Sequence, residues 1–189
     1  MITLPDFLRF YKEVFLLAYS ELVGYLGDKP RQVLIEIENM STHLVRSIDI
    51  DESESRRQEN LQKAYNHLVR VTIDCYKILW IQVKEDILEL KEIADAVLAD
   101  ITKEEFYVKK QIFKDMCREA RALEMTSVGN SPERCLEAYS AVVYYGWDII
   151  KKYKTDIIMR GAVTGEDPPI GYEAPFGKAA SIDTEIEKL

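Results

Sequence analysis

Residues 57–98 read RQENLQKAYNHLVRVTIDCYKILWIQVKEDILELKEIADAVL, a stretch with neither glycine nor proline. Leu61, Ala64, Leu68, Val71, Cys75, Ile78 and Leu79 recur at three- and four-residue steps, and Ile87, Leu90, Ile93, Ala94 and Val97 resume the same rhythm. That spacing puts one apolar stripe on a helix. Read as a single helix, about 40 residues at 1.5 Å each would span ~60 Å, longer than a compact domain of this size needs. The sequence therefore predicts either an elongated bundle or two helices with a bend near Val83–Asp86.

Helical signals continue on both sides. Pro5 suits a first turn, and Phe7, Phe10, Tyr11, Val14, Leu17, Ala18, Glu21 and Leu22 follow, with Gly24 and Gly27 as a stop. Asp28 and Pro30 look like the start of a second helix, whose stripe is Val33, Ile37, Met40, Leu44 and Ile48. The acidic run from Asp49 to Ser55 reads as a loop. Downstream, Thr102-Lys103-Glu104-Glu105 has the form of a capping box opening a helix to about Met125. The turn TSVGN follows at 126–130, and Ser131-Pro132 starts a last helix. Its face is Cys135, Leu136, Tyr139, Val142, Val143, Gly146, Trp147, Ile150, Tyr153 and Ile157, with Gly146 placed for close helix approach and Gly161 as the expected stop. The expectation is an all-α fold: an elongated bundle of about five helices over residues 1–160, then an irregular acidic tail over 161–189.

Composition supports a packed core, since 47% of the 189 residues are hydrophobic. The formal charge of −8 disfavours a general nucleic-acid or anionic-membrane binder and leaves room only for a local basic patch. No apolar run approaches the roughly 20 residues of a membrane span. Asp6, Arg9, Lys12 and Glu13 interrupt the N-terminus, so it does not read as a secretory signal. Cys75, Cys117 and Cys135 are odd in number, lie far apart and lack CxxC spacing, which fits small buried hydrophobes in a reducing cytosol.

The tetrapeptide His-Leu-Val-Arg occurs at 43–46 and again at 67–70, each copy followed by an Ile-Asp pair, and these copies hold the only two histidines. His67, Arg70, Asp74 and Lys77 share one narrow helical face, joined by Lys63, and Asn39, His43 and Arg46 make a similar polar face on the preceding helix. The ordinary account is a solvated helix side with Arg70–Asp74 and Asp74–Lys77 pairs. The sharper account pairs the two faces across an antiparallel hairpin, bringing His43 and His67 into one polar pocket suited to acid–base work. Helical ribonucleases of the HEPN class need an arginine four to six residues before a histidine; here Arg57 lies ten residues before His67 and Arg31 twelve before His43. Helical di-iron sites need a glutamate three residues before each histidine, and Met40 and Ala64 stand there. No metal or cofactor is expected.

Lys110, Lys114, Arg118 and Arg121 form a basic stripe, blunted by Asp115 and Glu119, that reads as a weak anion-binding candidate. Tyr144, Tyr145 and Trp147 cluster on the last helix, where they cannot all face one core, and Ile170, Tyr172 and Phe176 are spaced apolar anchors in the tail. These six residues are the expected partner-binding set. The leading functional expectation is a non-catalytic interaction or assembly subunit of a cytosolic complex, with a protein partner or self-association, no membrane contact, and nucleic acid disfavoured. The competing expectation is a small helical enzyme acting on RNA or a nucleotide through His43 and His67 with Arg46 and Arg70, Asp74 being a further candidate. A regulatory ligand-binding bundle is the third.

Overall fold

A computed structural model of the chain describes residues 2–98, 100–126 and 132–164. The expected tail anchors Ile170, Tyr172 and Phe176, residues 127–130 of the expected turn and the expected cap Ser131 lie outside the described residues. The described residues are helical almost throughout, with no strand among them.

The first rod begins at Thr3, whose side chain accepts from the Asp6 backbone N–H while Asp6 accepts from the Thr3 backbone, with Pro5 in the first turn. It runs as α1 (Leu4–Phe10), widens into a π-helical turn at Tyr11–Phe15, continues as α2 (Leu16–Leu26), and stops at Gly27, which takes φ 68°. The π turn inserts an extra residue into the spacing. Phe7, Phe15, Ala18 and Leu22 are the buried positions as a result, and Leu17, expected on that face, points out.

Helix α3 (Arg31–Ser47) starts after Pro30 rather than on Asp28, whose side chain caps only the neighbouring Lys29 N–H. Val33 and Met40 of its expected stripe are buried, Ile37 and Leu44 pack against the core, and Ile48 is exposed just past the helix end. Helix α4 (Glu54–Val97) settles the open question of the long segment: it is one uninterrupted 44-residue helix, capped by Ser53, without a break at Val83–Asp86. At 1.5 Å per residue it is about 66 Å long, and the bundle is elongated around it. Leu61, Ala64, Leu68, Val71, Cys75, Leu79, Val83, Ile87, Leu90 and Ala94 are its buried stripe.

Helix α5 (Asp100–Thr126) begins two residues before the anticipated cap, so Thr102 lies inside its first turn and Glu105 pairs with Lys152 instead of closing a capping box. Helix α6 (Pro132–Thr164) opens on Pro132 and runs through Gly161, which is not its stop. A Cβ at Gly146 would collide with Val83 Cγ1 of α4 and come within 2.9 Å of Phe113 of α5, so this glycine is what lets three helices converge.

Helix α4 packs against α3 on one side, α6 on another and α2 on a third, whereas α5 rests chiefly on α6. No helix among the described residues is long and apolar enough to cross a membrane.

Candidate functional site

The connection at 48–53 is short, so α3 and α4 run antiparallel. In such a pair a step forward along one helix matches a step back along the other. This geometry gives the duplicated tetrapeptide its meaning. His43 of α3 lies against His67 of α4, with ring centroids 5.4 Å apart and planes 12° from parallel. Each histidine also reaches a polar residue on the opposite helix. His67 Nδ1 is 2.8 Å from Glu36 Oε2, and His43 Nδ1 is 2.9 Å from Asn60 Oδ1. Glu36 precedes His43 by seven residues and Asn60 precedes His67 by seven, so the two contacts are related by an approximate two-fold axis through the hairpin.

The two halves differ in charge and depth. Glu36 is 8% exposed, a carboxylate buried between Val33 and Met40 on the inner face of α3. Its other oxygen lies 4.0 Å from Arg70, which is mostly exposed, so the His67 contact is the stronger of its two. Asn60 is anchored differently: its Nδ2 donates to the Arg56 carbonyl at 2.9 Å. Beside the stacked rings a shallow depression of about 400 Å³ is lined by His43, Lys63, Asn66, His67 and Arg70.

The structure thus brings together four of the residues singled out in sequence, His43, Lys63, His67 and Arg70. Arg46 is exposed and outside the depression. Asp74 lies one turn beyond Arg70, and burial, partly opposed by Lys77, raises its carboxyl above the usual value. It faces Lys77 at 4.0 Å rather than the histidines. Sequence reasoning passed over Glu36 and Asn60. A glutamate between Ile35 and Ile37 reads as a solvated residue, and the shared seven-residue offset before each histidine was the signal that marks it.

Lys77 also donates to Glu124 of α5 at 2.8 Å. Glu124 also accepts from Tyr139 of α6 at 2.6 Å and from Arg121 at 2.8 Å. Partial burial pushes the Glu124 carboxyl up, but the Lys77 and Tyr139 hydrogen bonds and the Arg121 charge outweigh it and hold the group below its ordinary value. The contact ties α4, α5 and α6 into one polar joint.

The basic stripe on α5 does not form one open surface. Lys110 is buried, and burial together with neighbouring Lys114 lowers its ammonium pKa. Arg118 pairs with Asp115 and Arg121 with Glu124, while Lys114 is exposed. Arg118 and Arg121 edge a second depression of about 360 Å³ with Trp80, Cys117, Ala122 and Met125. Trp80 donates to the Cys117 sulfur at 2.9 Å. Burial raises the Cys117 thiol and pushes that of Cys75 to about 12, so neither is a ready nucleophile.

Of the aromatic trio on α6, Tyr144 is 44% exposed, yet its hydroxyl lies 3.3 Å from Tyr76 OH and 3.2 Å from Glu21. Trp147 stands between Tyr25 and Tyr144, and Tyr145 packs against the core. Among the described residues no group of three or more His, Cys, Asp or Glu side chains is arranged to hold a metal ion. No family model, no curated protein and no solved structure matches this chain.

Proposed function

We propose that the α3–α4 cleft is the working site of this protein and that it acts on a phosphate-bearing ligand, RNA or a nucleotide. His43 and His67 are the proton-exchanging pair, and Lys63 and Arg70 are the cationic flank. The observation that carries this reading is the stacked pair, with each Nδ1 resting on an acceptor from the opposite helix. Imidazole is the side chain suited to giving and taking protons near neutral pH. Lys63 and Arg70 line the depression; Glu59 pairs with Lys63 at 2.6 Å and Glu36 lies 4.0 Å from Arg70, and each cation carries further N–H donors to offer a phosphate oxygen. The test is to incubate the full chain with nucleotides and single-stranded RNA, following binding and turnover. The His43→Ala/His67→Ala double variant, shown by circular dichroism to be folded, should lose both. Undiminished binding and turnover in that variant removes the reading.

A second reading, the interaction or assembly subunit of a cytosolic complex, has its own support. Val45, Ile48 and Ile50 are 64%, 58% and 86% exposed at the loop end of α3, more apolar surface than a solvated helix end requires. Three unpaired cysteines are consistent with a reducing compartment. Co-purification from the native host, together with the solution mass of the isolated chain, tests it. Replacing Val45 and Ile50 with serine should release the partner or the second copy. A chain that stays monomeric and recovers no stoichiometric companion ends this reading.

A further inference from the structure

We infer that Glu36 and Asn60 are positioning residues for the histidine pair, holding both imidazoles in the Nδ1–H form so that both Nε2 atoms are the groups offered to a ligand. The inference rests on the cleft being the working site, but its first test needs no ligand.

The argument is one of donors and acceptors. An ionised carboxylate only accepts, so the 2.8 Å contact between His67 Nδ1 and Glu36 Oε2 requires a proton on Nδ1. Asn60 is ambiguous by itself, because its amide could face either way. Its Nδ2 lies 2.9 Å from the Arg56 carbonyl, which can only accept. That contact sets the amide, and Oδ1 is left to accept from His43 Nδ1 at 2.9 Å. Both rings therefore carry their proton on the nitrogen nearer the backbone, the minor tautomer of free histidine. In the neutral ring this leaves a lone pair on each Nε2, able to take a proton from a ligand. In the protonated ring it leaves an Nε2–H able to donate to a phosphate oxygen.

Two features separate this from incidental contact. The contacts are reciprocal: each helix contributes one histidine and, seven residues earlier, the acceptor for the other helix's histidine. Glu36 is also 8% exposed, and a carboxylate placed so deep is costly unless its hydrogen bonds are made.

The experiment is a long-range proton–nitrogen correlation spectrum of the full chain, labelled with ¹⁵N in histidine and recorded without ligand on the neutral rings. The pattern of two-bond couplings reports which nitrogen holds the proton, a readout that a merely structural role would not move. Both rings are expected in the Nδ1–H form. Glu36→Ala should return His67 to the Nε2–H form and leave His43 as it was, and Asn60→Ala should do the converse. Glu36→Gln should move His67 toward the Nε2–H form, since Arg70, a donor only, takes the amide oxygen and leaves the NH2 group to donate to Nδ1. Wild-type rings in the Nε2–H form overturn the inference, as does a Glu36→Ala spectrum with His67 unchanged. If Glu36→Ala fails to fold, the wild-type and Glu36→Gln spectra decide. Titrating inorganic phosphate into the same sample then separates the two claims. Tautomers as expected with no Nε2 response sink the phosphate reading while the positioning role stands.

Discussion

The two copies of His-Leu-Val-Arg are identical in sequence and stand in different worlds. In α4, Leu68 is fully buried and Val69 is 2% exposed. In α3, Leu44 is half-buried against the core and Val45 is 64% exposed. His67 meets a buried carboxylate and His43 an amide. Arg70 lies 4.0 Å from Glu36, whereas Arg46 is outside the cleft. The cause is position in the bundle. Helix α4 is covered by α2, α3 and α6, while α3 has α4 alone as its principal neighbour. Four residues and their helical conformation specify which side chains share a face; the number of covering helices decides how many of those faces are buried.

The sharpest way to press that comparison is to truncate the same leucine in each copy. Leu68→Ala should lower stability by about 2–5 kcal/mol, the cost of a cavity in a packed core, while Leu44→Ala should cost clearly less. Chemical denaturation of both variants measures it, and equal losses would mean that α3 is as enclosed as α4.

The acceptors come next. Glu36→Ala leaves His67 Nδ1 without its partner at the edge of the core, for which about 1–3 kcal/mol is expected. Asn60→Ala should cost less, because Asn60 itself is less buried than Glu36. A larger loss for Asn60 would reverse the assignment of the deeper half.

Asp74, which follows the second copy, extends the comparison to pH. Burial raises Asp74 in the folded chain above its ordinary value of 3.8. A carboxyl raised by folding binds protons more readily folded than unfolded, so it contributes stability as pH falls from neutral through its folded pKa toward 3.8. Asp74→Asn should remove that rise and flatten the profile in this window. Glu124 has the opposite sign: held below its ordinary value, it stabilises the fold above 4.5 and loses that contribution as pH falls through its folded pKa. Glu124→Gln should therefore weaken the fold most at neutral pH. Thermal melts across the acid range read both slopes.

The smallest effect belongs to the exposed half of the first copy. Val45→Ser should change stability by no more than about 0.5 kcal/mol, as for most surface substitutions. A loss well beyond that would show that Val45 is covered in solution, and would favour the assembly reading.

Much of this protein was legible in its sequence because helical periodicity is a local property. The all-α class, the apolar stripe of α4, the stop at Gly27, the proline that opens α6 and the close approach at Gly146 all follow from spacing and residue type within a turn or two. Local signals also failed where a turn was not standard. The π turn at Tyr11–Phe15 moved Phe15 into the core and Leu17 out of it, and the capping-box pattern at Thr102 was overrun because α5 had already begun. The histidine pairing was legible only as one of two accounts. The register of α3 against α4 chose between them, because a seven-residue offset acquires a partner only when the antiparallel helix is in place. Glu36 shows the limit most clearly. Its sequence neighbours mark it as a solvated charge, and only the approach of His67 across the hairpin makes its burial tolerable. Spacing along one chain sets which groups face together, but what they face depends on the depth and register of helices distant in sequence.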